Sequence, residues 1–344
     1  MAKAINFQEW YKQIKGQEVK SLYLVSGEEE FLIKQGLNAL IEECIAPSCE
    51  SLDLMKLSGL PDKDKLLAEV STVSFISPKR LIILHNSGLF NNSRGSTEEK
   101  RDLLDKLSES LDNQVCLCLV EEKVDKRLKK SFAIFDKVPS EQVEVPKLEA
   151  PELLRWISAY LHKQDLRISK NAAESLIMRC DSALAELSLE LDKLSKYCIY
   201  AGLESIDYDL IEHCCREDLQ GNIFKLIDEV SAQRSDRAML LLDRLIKQKE
   251  PLILILFMLA RHFRQLLCSK DAQTEQELSK KLKIPYFVAG RLLRQNRVFR
   301  RETLLELCTL CQEADYAIKN GLMDERLAVE MILLKAGSPA QASA

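Results

Sequence analysis

Ser21-Leu-Tyr-Leu-Val-Ser-Gly-Glu-Glu-Glu-Phe-Leu-Ile33 reads as a buried strand, a glycine turn and the start of a helix. A nucleotide-binding P-loop carries G-x-x-x-x-G-K-[ST] at such a point. Here Gly27 is followed by Glu28, Glu29 and Glu30, with no second glycine, no lysine and no hydroxyl for magnesium. Three carboxylates suit the N-terminal end of a helix dipole, but they repel the phosphates that such a turn would otherwise cradle. The stretch predicts the shape of an ATPase fold without ATP hydrolysis, and no cofactor is expected.

Outward from this turn, strands and helices alternate up to about residue 140. Residues 31–45 carry helical spacing through Leu32, Leu37, Leu40, Ile41 and Ile45. Arg80-Leu-Ile-Ile-Leu-His85 and Gln114-Val-Cys-Leu-Cys-Leu-Val120 are continuous apolar runs, the mark of strands covered on both faces. Between them, Asn91-Asn-Ser-Arg-Gly-Ser96 reads as a surface loop, and Ser96-Thr-Glu-Glu99 offers a capping box for the next helix. Alternating strands and helices with buried strands predict a parallel, doubly wound sheet.

Pro139, Pro146 and Pro151, with extended Gln142-Val-Glu-Val145 among them, mark a domain boundary. Beyond it the pattern is helical, with no strand expected. A three-helix unit covers residues 151–162, 171–180 and 184–197 and ends near Gly202. A larger helical region follows from about Ile206, with helices expected over 223–233, 237–247, 251–268, 274–282, 286–298, 302–320 and 324–335. Pro251 suits a first helical turn, and Thr274-Glu-Gln-Glu277 is a second capping box. The apolar start of the 252–268 helix predicts a central place in its bundle.

Composition bounds the function. A chain of 344 residues is expected to form two or three domains. A net charge of −4 does not mark a nucleic-acid coat or a membrane-surface protein. The eleven cysteines are odd in number and sit within apolar runs, as with Cys116, Cys118, Cys180 and Cys198. That is the usage of small buried hydrophobes in a reducing cytosol. No signal peptide is expected at the start, and the Leu252–Ala260 run is shorter than the ~20 residues that span a bilayer. The expectation is a cytoplasmic protein with no membrane partner.

Catalytic constellations are hard to assemble. His85, His162, His213 and His262 share no spacing with a cysteine or serine motif, which favours structural or surface roles. Cys308-x-x-Cys311 has ligand-like spacing but no second pair or nearby histidine, and zinc needs four ligands. Adjacent Cys214 and Cys215 read equally well as core. Glu121-Glu122 end a strand where an ATPase places its magnesium-binding and water-activating acids. Without the P-loop residues, a solvated strand end is expected there.

Two basic groupings bear on nucleic acid. Lys126, Arg127, Lys129 and Lys130 suit a solvated helix face. Arg294, Arg297 and Arg301 fall at i, i+3 and i+7 and share one face if a single helix carries all three. The segment from Leu278 to Val298 has the outline of a helix-turn-helix, the basis of an alternative reading as a helical DNA-binding regulator. Leu292, Leu293 and Val298 on its second helix favour packing inside the bundle. A different candidate is Val73-Ser-Phe-Ile-Ser-Pro78, on the connection into the Arg80 strand. From the residues alone, burial of Phe75 and Ile76 under the sheet is favoured, whereas an exposed pair would mark a docking site.

Taken in order, these segments carry a family likeness. Leu22-Tyr-Leu-Val-Ser-Gly-Glu-Glu-Glu-Phe-Leu32, Phe75-Ile-Ser-Pro-Lys-Arg-Leu-Ile-Ile83 and Val124-Asp-Lys-Arg-Leu-Lys-Lys130 lie in the first part. Leu187-Ser-Leu-Glu-Leu-Asp-Lys-Leu-Ser-Lys-Tyr197, Leu259-Ala-Arg-His-Phe-Arg-Gln-Leu-Leu267 and Ala314-Asp-Tyr-Ala-Ile-Lys-Asn-Gly-Leu322 lie in the helical part. Across nearly the whole chain they resemble the delta subunit of bacterial DNA polymerase III, a clamp-loader subunit.

The resemblance implies an α/β RecA-like domain of the AAA+ type over 1–140, without a Walker A motif, and two all-α domains after it. These are a helical lid over 141–205 and a helical collar over 206–337, followed by a disordered tail at 338–344. It implies a subunit of the polymerase holoenzyme that lacks its own catalytic site. Such a subunit binds the ring-shaped sliding clamp (beta) and opens it for loading on primed DNA. Its implied partners are the ATP-hydrolysing subunits (gamma/tau) and delta prime in a hetero-pentamer, with primer-template DNA reached through the assembly. Family members grip the clamp with a hydrophobic pair, which alignment on Lys79-Arg80-Leu81 puts at Phe75 and Ile76. The pair departs from the commoner Leu-Phe or Phe-Phe, and a shift by one puts Ser74 and Phe75 there. By their spacing, and not by the resemblance, Arg294, Arg297 and Arg301 are the candidates for DNA contact.

Overall fold

The computed structural model describes residues 4–91, 97–215 and 219–337. Most of the 91–96 loop, the Ser96 cap and the 338–344 tail lie outside the described residues. The chain divides into two compact units, residues 1–148 and 149–344.

The first unit begins with β1 (Ile5–Asn6), α1 (Phe7–Lys15), β2 (Leu22–Ser26), α2 (Glu30–Cys44) and the one-turn α3 (Glu50–Asp53). It continues through β3 (Leu54–Ser58), α4 (Lys63–Val70), β4 (Arg80–His85), α5 (Thr97–Ser110) and β5 (Val115–Glu121). A 3-10 helix (Ser131–Asp136) then leads into β6 (Ser140–Glu144). All six strands are parallel, in the order β1-β6-β2-β5-β4-β3. The sheet therefore extends past residue 140. In register with β2, Val143 lies opposite Val25, so the extended stretch from Gln142 to Glu144 belongs to the sheet of the first unit.

Strand periodicity sorts the core into two layers. Leu22, Leu24, Ile82, Leu84, Leu117 and Leu119 pack with Leu66 and Val70 of α4 and Leu103, Leu104 and Leu107 of α5. On the alternate positions, Tyr23 meets the Trp10 ring at 6.1 Å, and Cys116 hydrogen-bonds to Cys44 of α2. Gly36 is what lets α1 approach α2. A β-carbon there would lie 2.0 Å from the Trp10 ring.

The second unit is helical: α6 (Ala150–His162), α7 (Lys170–Arg179), α8 (Leu184–Ala201), α9 (Tyr208–Cys214), α10 (Leu219–Ser231) and α11 (Ser235–Lys247). Then follow α12 (Leu252–Ser269), α13 (Glu275–Leu282), α14 (Tyr286–Asn296), α15 (Arg301–Lys319) and α16 (Glu325–Gly337). The expectation of no strand needs correction, because β7 (Arg167–Ile168) and β8 (Ser205–Ile206) form a two-stranded parallel pair. Pairs this short leave no periodic signature in sequence. Pro251 is the N-cap of α12 and precedes its first turn.

α12 packs into the core through Ile255, Leu256, Leu259, Phe263 and Leu266. At 18 residues, and by its composition, it is long and apolar enough to cross a membrane. Its buried stripe within this unit accounts for that character. The same stripe buries His262, whose Nε2 lies 2.8 Å from Gln295 Oε1 on α14. Gln295 Nε2 donates to the Phe224 carbonyl at 3.1 Å and to Asp228 at 2.5 Å, both on α10. Arg291 completes the network, paired with Asp228 at 2.8 Å and stacked 4.7 Å from the Phe224 ring centre.

Candidate functional site

The glycine turn that resembles a P-loop is filled by the chain's own backbone. Gly27 has φ +147°, and its N–H donates to the Glu121 carbonyl at 3.3 Å. Beside it, Glu29 N–H donates to the Val145 carbonyl at 3.2 Å, and Val145 N–H donates to Ser26 at 2.8 Å. Amides that would hold phosphate oxygens are thus committed to β5 and to the chain leaving β6. Glu28 and Glu30 are exposed. Burial raises the Glu29 carboxyl above its usual range, against the N–H of Phe31 and nearby Lys147.

Glu121 departs from the solvated strand end expected for it. It is buried, accepts from the Ser87 hydroxyl and from Gly88 N–H at 3.0 Å, and ties β5 to the loop after β4. Burial raises its carboxyl pKa despite those bonds. A buried carboxylate spent on its neighbours is a structural group.

The connection from α4 to β4 exposes large apolar side chains. Phe75 is 80% exposed and Ile76 62%, which overturns the burial favoured by the residues alone. Both project from a turn whose backbone is fixed. Asp53, at the end of α3, is fully buried. Its carboxylate accepts from Phe75 N–H at 2.6 Å, Ile76 N–H at 3.1 Å and Ser77 N–H at 3.0 Å. Desolvation pushes the Asp53 pKa up, but the bonds from Phe75, Ser77 and Ile76 outweigh it and hold the carboxyl far below the usual range. Sequence reading passed over Asp53. Its one signal is a lone acid directly before the strand Leu54–Ser58.

The flanks are equally tied. Ser77 Oγ accepts from Ala46 N–H at 3.0 Å, and Ser74 Oγ donates to the Ser77 carbonyl at 2.5 Å. Lys79 N–H donates to the Cys44 carbonyl at 3.2 Å, and its ammonium reaches the Asn113 carbonyl at 2.6 Å. Arg80 joins Glu69 of α4 at 2.5 Å and the Leu52 carbonyl at 3.1 Å. Ser74 is thereby half-buried and its hydroxyl is used internally, while the apolar side chains of Phe75 and Ile76 face solvent.

The basic groupings are not built as read from sequence. Residues 122–130 form turns, not a helix, and within them Lys126 pairs with Glu144 and Arg127 with Asp125. α14 ends at Asn296 and α15 starts at Arg301, so no single helix carries Arg294, Arg297 and Arg301. Arg294 and Arg297 are exposed, and Arg301 pairs with Asp271. In the helix-turn-helix outline, α14 buries Val288, Ala289, Leu292, Gln295 and Asn296. Val298, expected inside, lies beyond the helix end and is exposed.

Among the histidines, His262 is buried and His85 half-buried, while His162 and His213 are exposed. The eleven cysteines are all free thiols, with Cys308 half-buried and Cys311 buried on α15. Among the described residues, no group of three or more His, Cys, Asp or Glu is placed to hold a metal ion.

Comparison with known proteins agrees with this architecture. Residues 23–145 match the family described as DNA polymerase III, delta subunit, and residues 220–336 match the DNA polymerase III delta subunit, C-terminal domain. The DNA polymerase III subunit delta of Bacillus subtilis (strain 168) is 24% identical, covering 96% of each chain. A solved structure of the Bacillus subtilis DNA clamp loader delta protein (YqeN) shares the fold at TM-score 0.71. It is 21% identical and covers 96% of this chain and 99% of its own. With both family segments in order on their two units, the chain belongs to the delta subunit family of DNA polymerase III.

Proposed function

We propose that this clamp-loader delta subunit binds the sliding clamp through Phe75 and Ile76 and opens the ring for loading on primed DNA. The observation that carries the reading is a rigidly held turn that exposes two adjacent large apolar side chains. Apolar side chains held outward on a fixed turn suit insertion into a partner's pocket. Burying each in a partner's pocket contributes ~1.5–3 kcal/mol before ordering costs. The internal use of Ser74 supports the Phe75–Ile76 register over Ser74–Phe75.

The filled turn at Gly27 supports a subunit that does not hydrolyse ATP. ATP acts on its neighbours, and ring opening draws on a higher affinity for the open clamp. The helical part provides the lid and collar. On α16, Leu327, Met331 and Leu334 are exposed at i, i+4 and i+7, a stripe suited to the neighbouring ATP-hydrolysing subunits. The protein works in the cytoplasm as part of a hetero-pentamer that brings it to primer-template DNA.

The test is pull-down with the purified clamp of the same organism, run beside duplex-DNA binding at moderate salt. Retention on the clamp, lost in Phe75→Ala, is the expected result. Tight DNA binding with no clamp retention would favour the regulator reading instead. The burial of α14 against α10 and α12 argues for the clamp.

A further inference from the structure

We propose that Asp53 is the positioning residue of the docking turn, a buried anion that holds Phe75 and Ile76 in their binding-ready geometry. The proposal rests on the reading that this turn grips the clamp. Three consecutive amides, those of Phe75, Ile76 and Ser77, converge on one carboxylate at 2.6, 3.1 and 3.0 Å. Successive N–H groups turned onto one anion form a nest, and the side chains they carry point away from it.

The arrangement exceeds what the turn's hydrogen bonding requires. An exposed turn finds water for its amides at no cost. Burying a carboxylate is expensive unless it is fully hydrogen-bonded. Asp53 is fully buried, and the three amides it takes are those of the two exposed apolar residues and the one after them. The Ser77 hydroxyl also bonds this carboxylate, and its oxygen accepts from Ala46 N–H at 3.0 Å, which extends the hold to the chain after α2. Lys79 and Arg80 fix the exit. What remains free is the pair of side chains at the tip. A partner then meets a preformed turn, and the entropy of ordering it is spent in folding and not in binding.

Asp53→Asn keeps the shape but replaces one acceptor oxygen with a donor, which faces inward-pointing N–H groups. The expected result is a loss of clamp affinity of about tenfold. Exchange of the 75–77 amides should quicken while amides of β2 and β5 stay protected. In a double-mutant cycle with Phe75→Ala and Ile76→Ala together, adding Asp53→Asn should cost nothing further, since it acts through those side chains.

If the tip substitutions abolish binding while Asp53→Asn binds as the parent does, the positioning role falls and the docking reading stands. An equal loss from Asp53→Asn in both backgrounds also overturns positioning, because it then acts by general destabilisation. Full clamp affinity in the tip variant removes the docking reading itself, and positioning with it. Should Asp53→Asn not fold, exchange in the parent protein decides. Protected amides at 75–77 despite the exposed side chains support the proposal, and rapid exchange refutes it.

Discussion

The Val145 carbonyl oxygen lies 2.0 Å from where a β-carbon on Gly27 would sit, with Gly27 held at φ +147°. A strand connection therefore runs through the space above the glycine turn. The position demands glycine for two reasons, the backbone angle and the close approach of main chain. Gly27→Ala should destabilise the first unit by about 3 kcal/mol or more, since the obstructing atom is backbone and cannot swing aside. Urea unfolding checks this, and a change below ~1 kcal/mol would show that the turn relaxes freely.

Phe75→Ala should separate binding from stability. The side chain makes little use of the core, so the unfolding free energy should move by no more than ~0.5 kcal/mol. Clamp affinity should fall at least tenfold, which corresponds to about 1.4 kcal/mol. Ile76→Ala should follow the same pattern. Surface plasmon resonance on the immobilised clamp, paired with thermal melts, reads both quantities.

Asp53 also predicts a pH dependence. Its folded pKa lies below the unfolded value of roughly 4, so its contribution is complete above that value and is lost as pH falls through the folded pKa. Parent and Asp53→Asn should differ by a constant amount at neutral pH and converge at acid pH. Urea titrations from pH 7 down to pH 3 measure the gap. A gap that fails to narrow below about pH 4 contradicts the assignment.

His262 acts over a higher window. Burial lowers its pKa from the ordinary 6.5 to about 4, with the Gln295 bond opposing the shift and Arg291 adding to it. The unfolded chain takes up a proton first as pH falls, so stability declines between pH 6.5 and about 4. The full effect is at most roughly 3 kcal/mol, and His262→Gln should flatten that part of the stability profile.

Met331→Glu addresses the other surface. It places a charge within the exposed stripe of α16, away from the core residues Val329, Ile332 and Leu333 of the same helix. Binding to the isolated clamp should be unchanged, while co-elution with the ATP-hydrolysing subunits on size exclusion should be lost. Loss of both would point to a folding defect.

The parallel sheet was legible because Leu22–Val25, Arg80–His85 and Gln114–Val120 are continuous apolar runs, and burial on both faces leaves no other pattern. The helices of the second part were legible from their period, with limits shifted by a few residues. What escaped were features made by pairs distant in the chain. β6 reads as an extended stretch at a proline-marked domain boundary until β2 supplies its ladder, and β7 and β8 are too short to signal themselves. Arg294, Arg297 and Arg301 align on paper, but the break after Asn296 separates them.

By itself, then, the sequence determined the α/β and helical classes, the absence of a P-loop lysine and the presence of a Phe-Ile pair on a connection. Periodicity and residue chemistry are local properties, and they survive in one dimension. Tertiary structure alone decided that Val145 fills the turn at Gly27, that Glu121 is buried, and that Phe75 and Ile76 face solvent. The last depends on Asp53, which lies 22 residues before Phe75. A buried carboxylate shapes a turn only where folding brings its amides within hydrogen-bond reach, and no local pattern records that distance.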